Sequence, residues 1–196
     1  QLSLKKQSKK VVPLDITLTT EKHMLIISGP NAGGKSVCLK TIGLLQYMLQ
    51  CGLSVPMVEN SSAGIFQNIM IDIGDEQSIA QSLSTFSAHL KALKKITDDA
   101  KDGDLVIIDE IGAGTDPIEG ASLGIAIIKY LQKKNIFSLV STHYTEVKKF
   151  AITDESIVSA AMEFDERELL PTYVYTYFLF FWLIINDIAC IISVSM

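Results

Sequence analysis

Gly29-Pro30-Asn31-Ala32-Gly33-Gly34-Lys35-Ser36 has the spacing G-x-x-x-x-G-K-[ST], and each residue type in it suits the handling of a polyphosphate. The glycines let successive backbone N–H groups converge on an anion, and a helix beginning at the lysine presents its positive end to the same point. Lys35 can bridge outer phosphates, and the Ser36 hydroxyl can ligate magnesium. A glycine-rich turn with a chance Lys-Ser would lack the flanking elements. Here a short apolar run, 24–28, precedes the loop, and a mostly apolar stretch, 35–51, follows it.

An acidic pair supplies the second chemical group. Leu105-Val106-Ile107-Ile108 runs directly into Asp109-Glu110. At the carboxyl end of a buried strand beside the loop, Asp109 can hold the magnesium shell and Glu110 can polarise an attacking water. Alone, four apolar residues and two acids are a weak signal. With a strand-to-helix unit on each side, the pair points to hydrolysis rather than transfer to a substrate. His143 follows another apolar run, 136–141, and is expected at the same sheet edge. It reads either as a sensor of the terminal phosphate or as a cap of the helix that starts near Tyr144. His23 and His89 are expected on the surface or on a helix face. Ser84 and Thr85 read as N-cap chemistry before Phe86, and Gly112 and Gly114 as a flexible turn.

The elements that must position these groups follow from period and punctuation. Strands are expected at 11–18, 24–28, 65–73, 105–108, 136–141, 157–164 and 171–177. A helix over 35–51 should stop at Gly52. A second, over 84–100, carries Lys91, Lys94 and Lys95 in its final turns and ends at Asp102-Gly103. A third opens with Asp116 as N-cap, Pro117 at N1 and Glu119 at N3, and runs to about residue 133. Strands alternating with helices, with apolar strand interiors, imply an α/β fold with a parallel sheet covered on both faces.

The 196 residues, 48% hydrophobic and 20% charged, suffice for one domain with a sizeable core. A net charge of −5 argues against this segment supplying the main surface for a nucleic acid. Cys38, Cys51 and Cys190 form no Cys-x-x-Cys pattern and read as reduced, mostly buried thiols of an intracellular protein. The first residue is Gln1, so a fragment of a longer protein is expected.

Taken together, GPNAGGKS, the STF helix start, DEIGAGTDP and STHY resemble the ATPase domain of MutS-family proteins, a P-loop NTPase with an ABC-ATPase-like, mostly parallel sheet flanked by helices. The stretches "IDIGDEQSIAQSLSTFSAHL", "GAGTDPIEGASL" and "FDERELLPTYVY" are most similar to the second MutS subfamily, the bacterial anti-recombination branch whose full-length members carry a Smr nuclease domain. The resemblance implies ATP and Mg2+ as cofactors, with ATP held by Gly29, Pro30, Asn31, Ala32, Gly33, Gly34, Lys35, Ser36 and Val37 and the metal by Ser36 and Asp109. It implies catalytic roles for Lys35, Glu110 and His143, the last as switch histidine. It further implies a head-to-tail homodimer, in which Ser84 and Thr85 reach the partner's nucleotide and 112–116 crosses the interface. Family members clamp branched or mismatched DNA, through regions absent from this sequence, and this branch is also linked to ribosomes.

The implied organisation is a polar segment at 1–10, the ATPase domain at 11–172 and an atypical apolar tail at 173–196. From Thr172 onward there is no Lys, Arg, Gly or Pro, and 7 of the 15 aromatic residues fall there. The stretch from Tyr173 to Ile185 is 13 uncharged residues; as a helix of ~20 Å it falls short of the ~30 Å hydrocarbon core. Membrane attachment is therefore not expected, and the protein is placed in the cytoplasm. Nor does 82–89 match the Leu-Ser-Gly-Gly-Gln-like signature of a transporter ATPase. Phe, Ile, Leu and Tyr are what AT-rich codons yield out of frame, so the tail is expected to reflect a frameshifted or truncated reading.

Overall fold

The computed structural model describes residues 13–30, 33–74, 82–165, 170–177 and 190–195. The elements run β1 (Pro13–Leu18), β2 (Met24–Ser28), α1 (Lys35–Gln50), β3 (Ile69–Asp72), α2 (Ser82–Asp99), β4 (Leu105–Ile108), α3 (Pro117–Lys133), β5 (Phe137–Thr142), α4 (Thr145–Thr153), β6 (Ile157–Asp165), β7 (Leu170–Tyr177) and β8 (Cys190–Ser195). The main sheet has the order β3-β4-β5-β2-β6-β7. Its first five strands are parallel, and β7 lies antiparallel on β6. β1 and β8 form a separate antiparallel pair.

The apolar strands β2 and β4 are buried throughout, because helices cover both faces. Alternate residues go to opposite sides, as the two-residue period of a strand requires. Met24, Ile26, Val106, Ile108 and Val140 join Leu93 and Ile96 of α2, Ile127, Ile128 and Leu131 of α3, and Val147 of α4. Leu25, Ile27, Leu105, Ile107 and Leu139 join Cys38, Leu39 and Ile42 of α1 and Leu14, Ile16 and Leu18 of β1. Among the described residues the sheet therefore has α1 on one face and α2, α3 and α4 on the opposite one.

The helix ends follow their residues closely. Gly52 (φ 76°) ends α1: its N–H donates to Leu49 O at 2.9 Å and that of Leu53 to Met48 O at 3.0 Å, the two bonds of a Schellman motif. The Asp116 carboxylate caps α3 by accepting from the N–H groups of Ile118 and Glu119. α2 ends three residues before Asp102-Gly103, with its lysines in the final turns as expected but none in the last one. The helix finishes with Asp98 and Asp99, so the lysines lie before its last turn, and Lys94 pairs with Asp98. Lys134, just beyond α3, donates instead to the carbonyls of Thr97 and Ala100.

β3 begins at Ile69 rather than at 65, and the backbone of Phe66 is bonded instead by the Gln50 side chain. Its amide both donates to Phe66 O and accepts from Phe66 N, each at 3.0 Å. His23 is buried, not on the surface, with its ring edge-on to Phe137. Cys51 is exposed, whereas burial pushes the Cys38 thiol up to about 12. β7 runs across residue 172 and pairs Tyr175 with Met162 and Tyr177 with Ala160. Among the described residues no helix is long and apolar enough to cross a membrane.

Candidate functional site

β5 lies between β2 and β4, so the loop after β2, the turn after β4 and the residues after β5 all open at the carboxyl end of the sheet. The register sets their heights. Ser28 stands opposite Thr142, and Ile108 opposite Val140. Gly29, His143 and the Asp109–Glu110 pair therefore leave three adjacent strands within two residues of one level.

The glycine loop fits tightly against β6. A Cβ on Gly29 would lie 3.0 Å from Met162 O, and one on Gly33 3.1 Å from Met162 Cβ. Gly33 N–H donates to Pro30 O at 2.9 Å. Gly34, the N-cap of α1, has φ 93°, a left-handed conformation that glycine adopts without penalty. The first turn of α1 contains no acidic residue, so no carboxylate of that turn offsets its positive end. Ser36 is half-buried and Val37 47% exposed. Asn31 and Ala32 lie outside the described residues.

Lys35 is 1% exposed, and its Nζ donates to Gly29 O at 2.7 Å. Burial lowers its pKa; Glu110 first, and then Asp109, pull it back up by their negative charge. A buried ammonium needs such partners. The loop lysine and the acidic pair thus occupy one electrostatic site.

Ser141, at the end of β5, organises the acidic pair. Its hydroxyl donates to Asp109 Oδ1 and accepts from Glu110 N–H at 2.8 Å, while its carbonyl accepts from Ile111 N–H at 3.0 Å. Asp109 N–H in turn donates to Asp72 O at 2.8 Å. These bonds hold Glu110 at φ 50°, a left-handed backbone that costs a residue with a Cβ about 1–2 kcal/mol.

The turn that follows is packed, not flexible. Gly112 (φ 80°) lies against Gly120, where an added Cβ would come within 2.2 Å of the Gly120 carbonyl oxygen. A Cβ on Gly114 would lie 3.1 Å from Phe86. Phe86 thereby brings α2 against the turn. Ser84 and Thr85 fall inside the first turn of α2 rather than before it, with their side chains outside the described set. His143 is exposed just past β5, its ring 4.2 Å from that of Tyr144. It does not start α4, whose N-cap is Tyr144.

Four residues beside the site escape the sequence reading: Ser141, Tyr144, Asp72 and His89. Asp72 carries the same signal as Asp109, an apolar run ending in an acid. Its Oδ2 lies 2.6 Å from His89 Nδ1, in contact but without the alignment of a hydrogen bond. His89 lies on a face of α2, as expected, and is half-buried against Asp72.

The residues fit a magnesium nucleotide. Ser36 and Asp109 offer hard oxygen donors, and the glycines hold a backbone cradle that a Cβ would fill at Gly29 and Gly33. Among the described residues no group of three His, Cys, Asp or Glu could form an all-protein metal cage. Magnesium bound through phosphates needs no such cage.

Fold and site together define an α/β domain of the P-loop ATPase class. The chain belongs to the MutS family: residues 25–178 match the model of MutS domain V. It is 52% identical over 167 residues to Endonuclease MutS2 of Lachnospira eligens, 51% over 165 to that of Finegoldia magna and 53% over 167 to that of Caldicellulosiruptor saccharolyticus. These alignments cover 84–85% of this chain and 21% of each relative. The chain thus spans about a fifth of the length of the curated relatives it matches.

Proposed function

We propose that this domain binds ATP with magnesium and hydrolyses it, as the motor segment of a longer DNA-associated protein. One observation carries the reading: Lys35, buried at the glycine loop, lies in the field of Glu110 and Asp109 from a different strand. Binding and hydrolysis are thereby brought within reach of each other.

In the proposed mechanism the loop amides and Lys35 take the charge of the outer phosphates. Magnesium, held by Ser36 and Asp109, would neutralise charge building on the phosphate oxygens. Glu110 orients a water and receives its proton as the water oxygen bonds the terminal phosphorus and the bridging P–O bond breaks. His143 follows the presence of the terminal phosphate. Ser84, Thr85 and the 112–116 turn complete the site of a second copy in a head-to-tail homodimer. The whole protein is proposed to bind branched or mismatched DNA, to suppress recombination and to act in the cytoplasm, with ribosomes as a further partner. A net charge of −5 on this segment favours DNA contacts elsewhere in that protein.

Titration of the purified chain with ATP, with and without magnesium, followed by steady-state turnover with and without branched DNA, tests the reading. Magnesium-dependent saturable binding with turnover is the expected result. Binding with no turnover under any condition would leave a nucleotide-gated scaffold. Absence of magnesium-dependent binding would overturn the assignment.

A further inference from the structure

Tyr144 follows His143 directly and is only 7% exposed, although it opens α4 at the sheet edge. Its side chain lies against the turn beyond Glu110, where the hydroxyl donates to Gly112 O at 3.0 Å. No side chain fits between them. A Cβ on Gly120 would lie 2.4 Å from Gly112 O and 2.7 Å from the Tyr144 hydroxyl. Two residues on, Gly114 abuts Phe86. A continuous line of contact therefore runs from His143 through Tyr144 and Gly112 to the helix bearing Ser84 and Thr85.

We propose that Tyr144 is a positioning residue that ties the 112–116 turn to His143, so that the state of the terminal phosphate sets the position of that turn. This rests on the ATPase reading above. The phenol hydroxyl, rather than the ring alone, does this, because Gly112 is buried and the hydroxyl is aimed at its carbonyl. The ring in turn lies against that of His143. A shift of His143 toward a bound phosphate moves the adjacent backbone, and the hydrogen bond transmits it, whereas a phenylalanine would fill the space and transmit little.

Hydrogen exchange of the 112–116 amides, with and without magnesium ATP, in the wild-type chain and in Tyr144→Phe, tests this. ATP should slow exchange there about tenfold in the wild type. Tyr144→Phe should bind ATP within about twofold yet lose that slowing, and its kcat should fall about tenfold at unchanged KM. A merely structural hydroxyl would alter exchange equally with and without nucleotide. Gly120→Ala, which forces hydroxyl and carbonyl apart while keeping the phenol, should show the same loss and serves if Tyr144→Phe does not fold. Retention of the ATP-dependent slowing in either folded variant, or its absence in a wild type that binds ATP, overturns the proposal. A wild type that fails to bind ATP removes the ATPase reading itself, and this inference with it.

Discussion

Lys35 is tied to a carbonyl six residues back in its own loop, whereas Asp109, Glu110 and Gly112 are tied to side chains 31 or 32 residues further along. The phosphate loop closes mainly on itself; the acidic turn is held by β5, β3 and the start of α4. Both lie at one sheet edge, yet they differ in what specifies them. A loop closed by near neighbours carries its hydrogen bonds in a dozen consecutive residues, and depends on a distant strand only for the Met162 wall behind its glycines. A turn held by distant partners depends on the whole sheet being correctly registered, and substitutions far off in sequence can disturb it.

Glu110→Gln should give the largest effect, a drop in turnover of ~10²–10⁴-fold with ATP affinity retained, since it removes only the proton acceptor. Turnover assays beside equilibrium binding would check this, and an undiminished kcat would break the division of labour between the two regions. Lys35→Ala should weaken ATP binding by at least ~10²-fold, through loss of charge-assisted bonds. If the loop is locally closed, the acidic turn should stay intact, which hydrogen exchange at 109–112 would read.

Stability changes should come next. Gly112→Ala meets both an unfavourable φ and a carbonyl 2.2 Å from the new Cβ, and should cost about 2–4 kcal/mol in denaturant unfolding. Gly52→Ala has a similar φ of 76° but open space, and should cost only about 1 kcal/mol. Equal losses would mean that the close approach at Gly112 contributes nothing. Ser141→Ala leaves the Glu110 N–H without its acceptor and should cost about 1–3 kcal/mol. Turnover should fall with it while ATP affinity holds. Lys94→Ala, which removes an exposed ion pair on α2 remote from both regions, should leave Tm unchanged.

The same contrast explains what could be read in the sequence. The apolar runs gave β2, β4 and β5 nearly to the residue, and Gly52 and Asp116 gave two helix ends, because each depends on chemistry within a few positions. The loop Gly29 to Ser36 and the acidic pair were visible for the same reason. Ser141 and Tyr144 were not, since a hydroxyl at a strand end has no meaning until the neighbouring strand is known. The cation that meets the carbonyls at the end of α2 was not legible either, because Lys134 reaches them from beyond α3. In the first part of the expected third strand the backbone of Phe66 is bonded by a glutamine side chain from α1, a partner that no local pattern announces.

Met162, behind Gly29 and Gly33, belongs to β6, far downstream of the residues it backs. The nucleotide cradle is thus not finished when its own motif has been synthesised; it waits for the last parallel strand to insert. A shortened chain stopping before Ile157 would keep the entire G-x-x-x-x-G-K-S stretch, the acidic pair and His143, and still lack the wall that shapes the cradle.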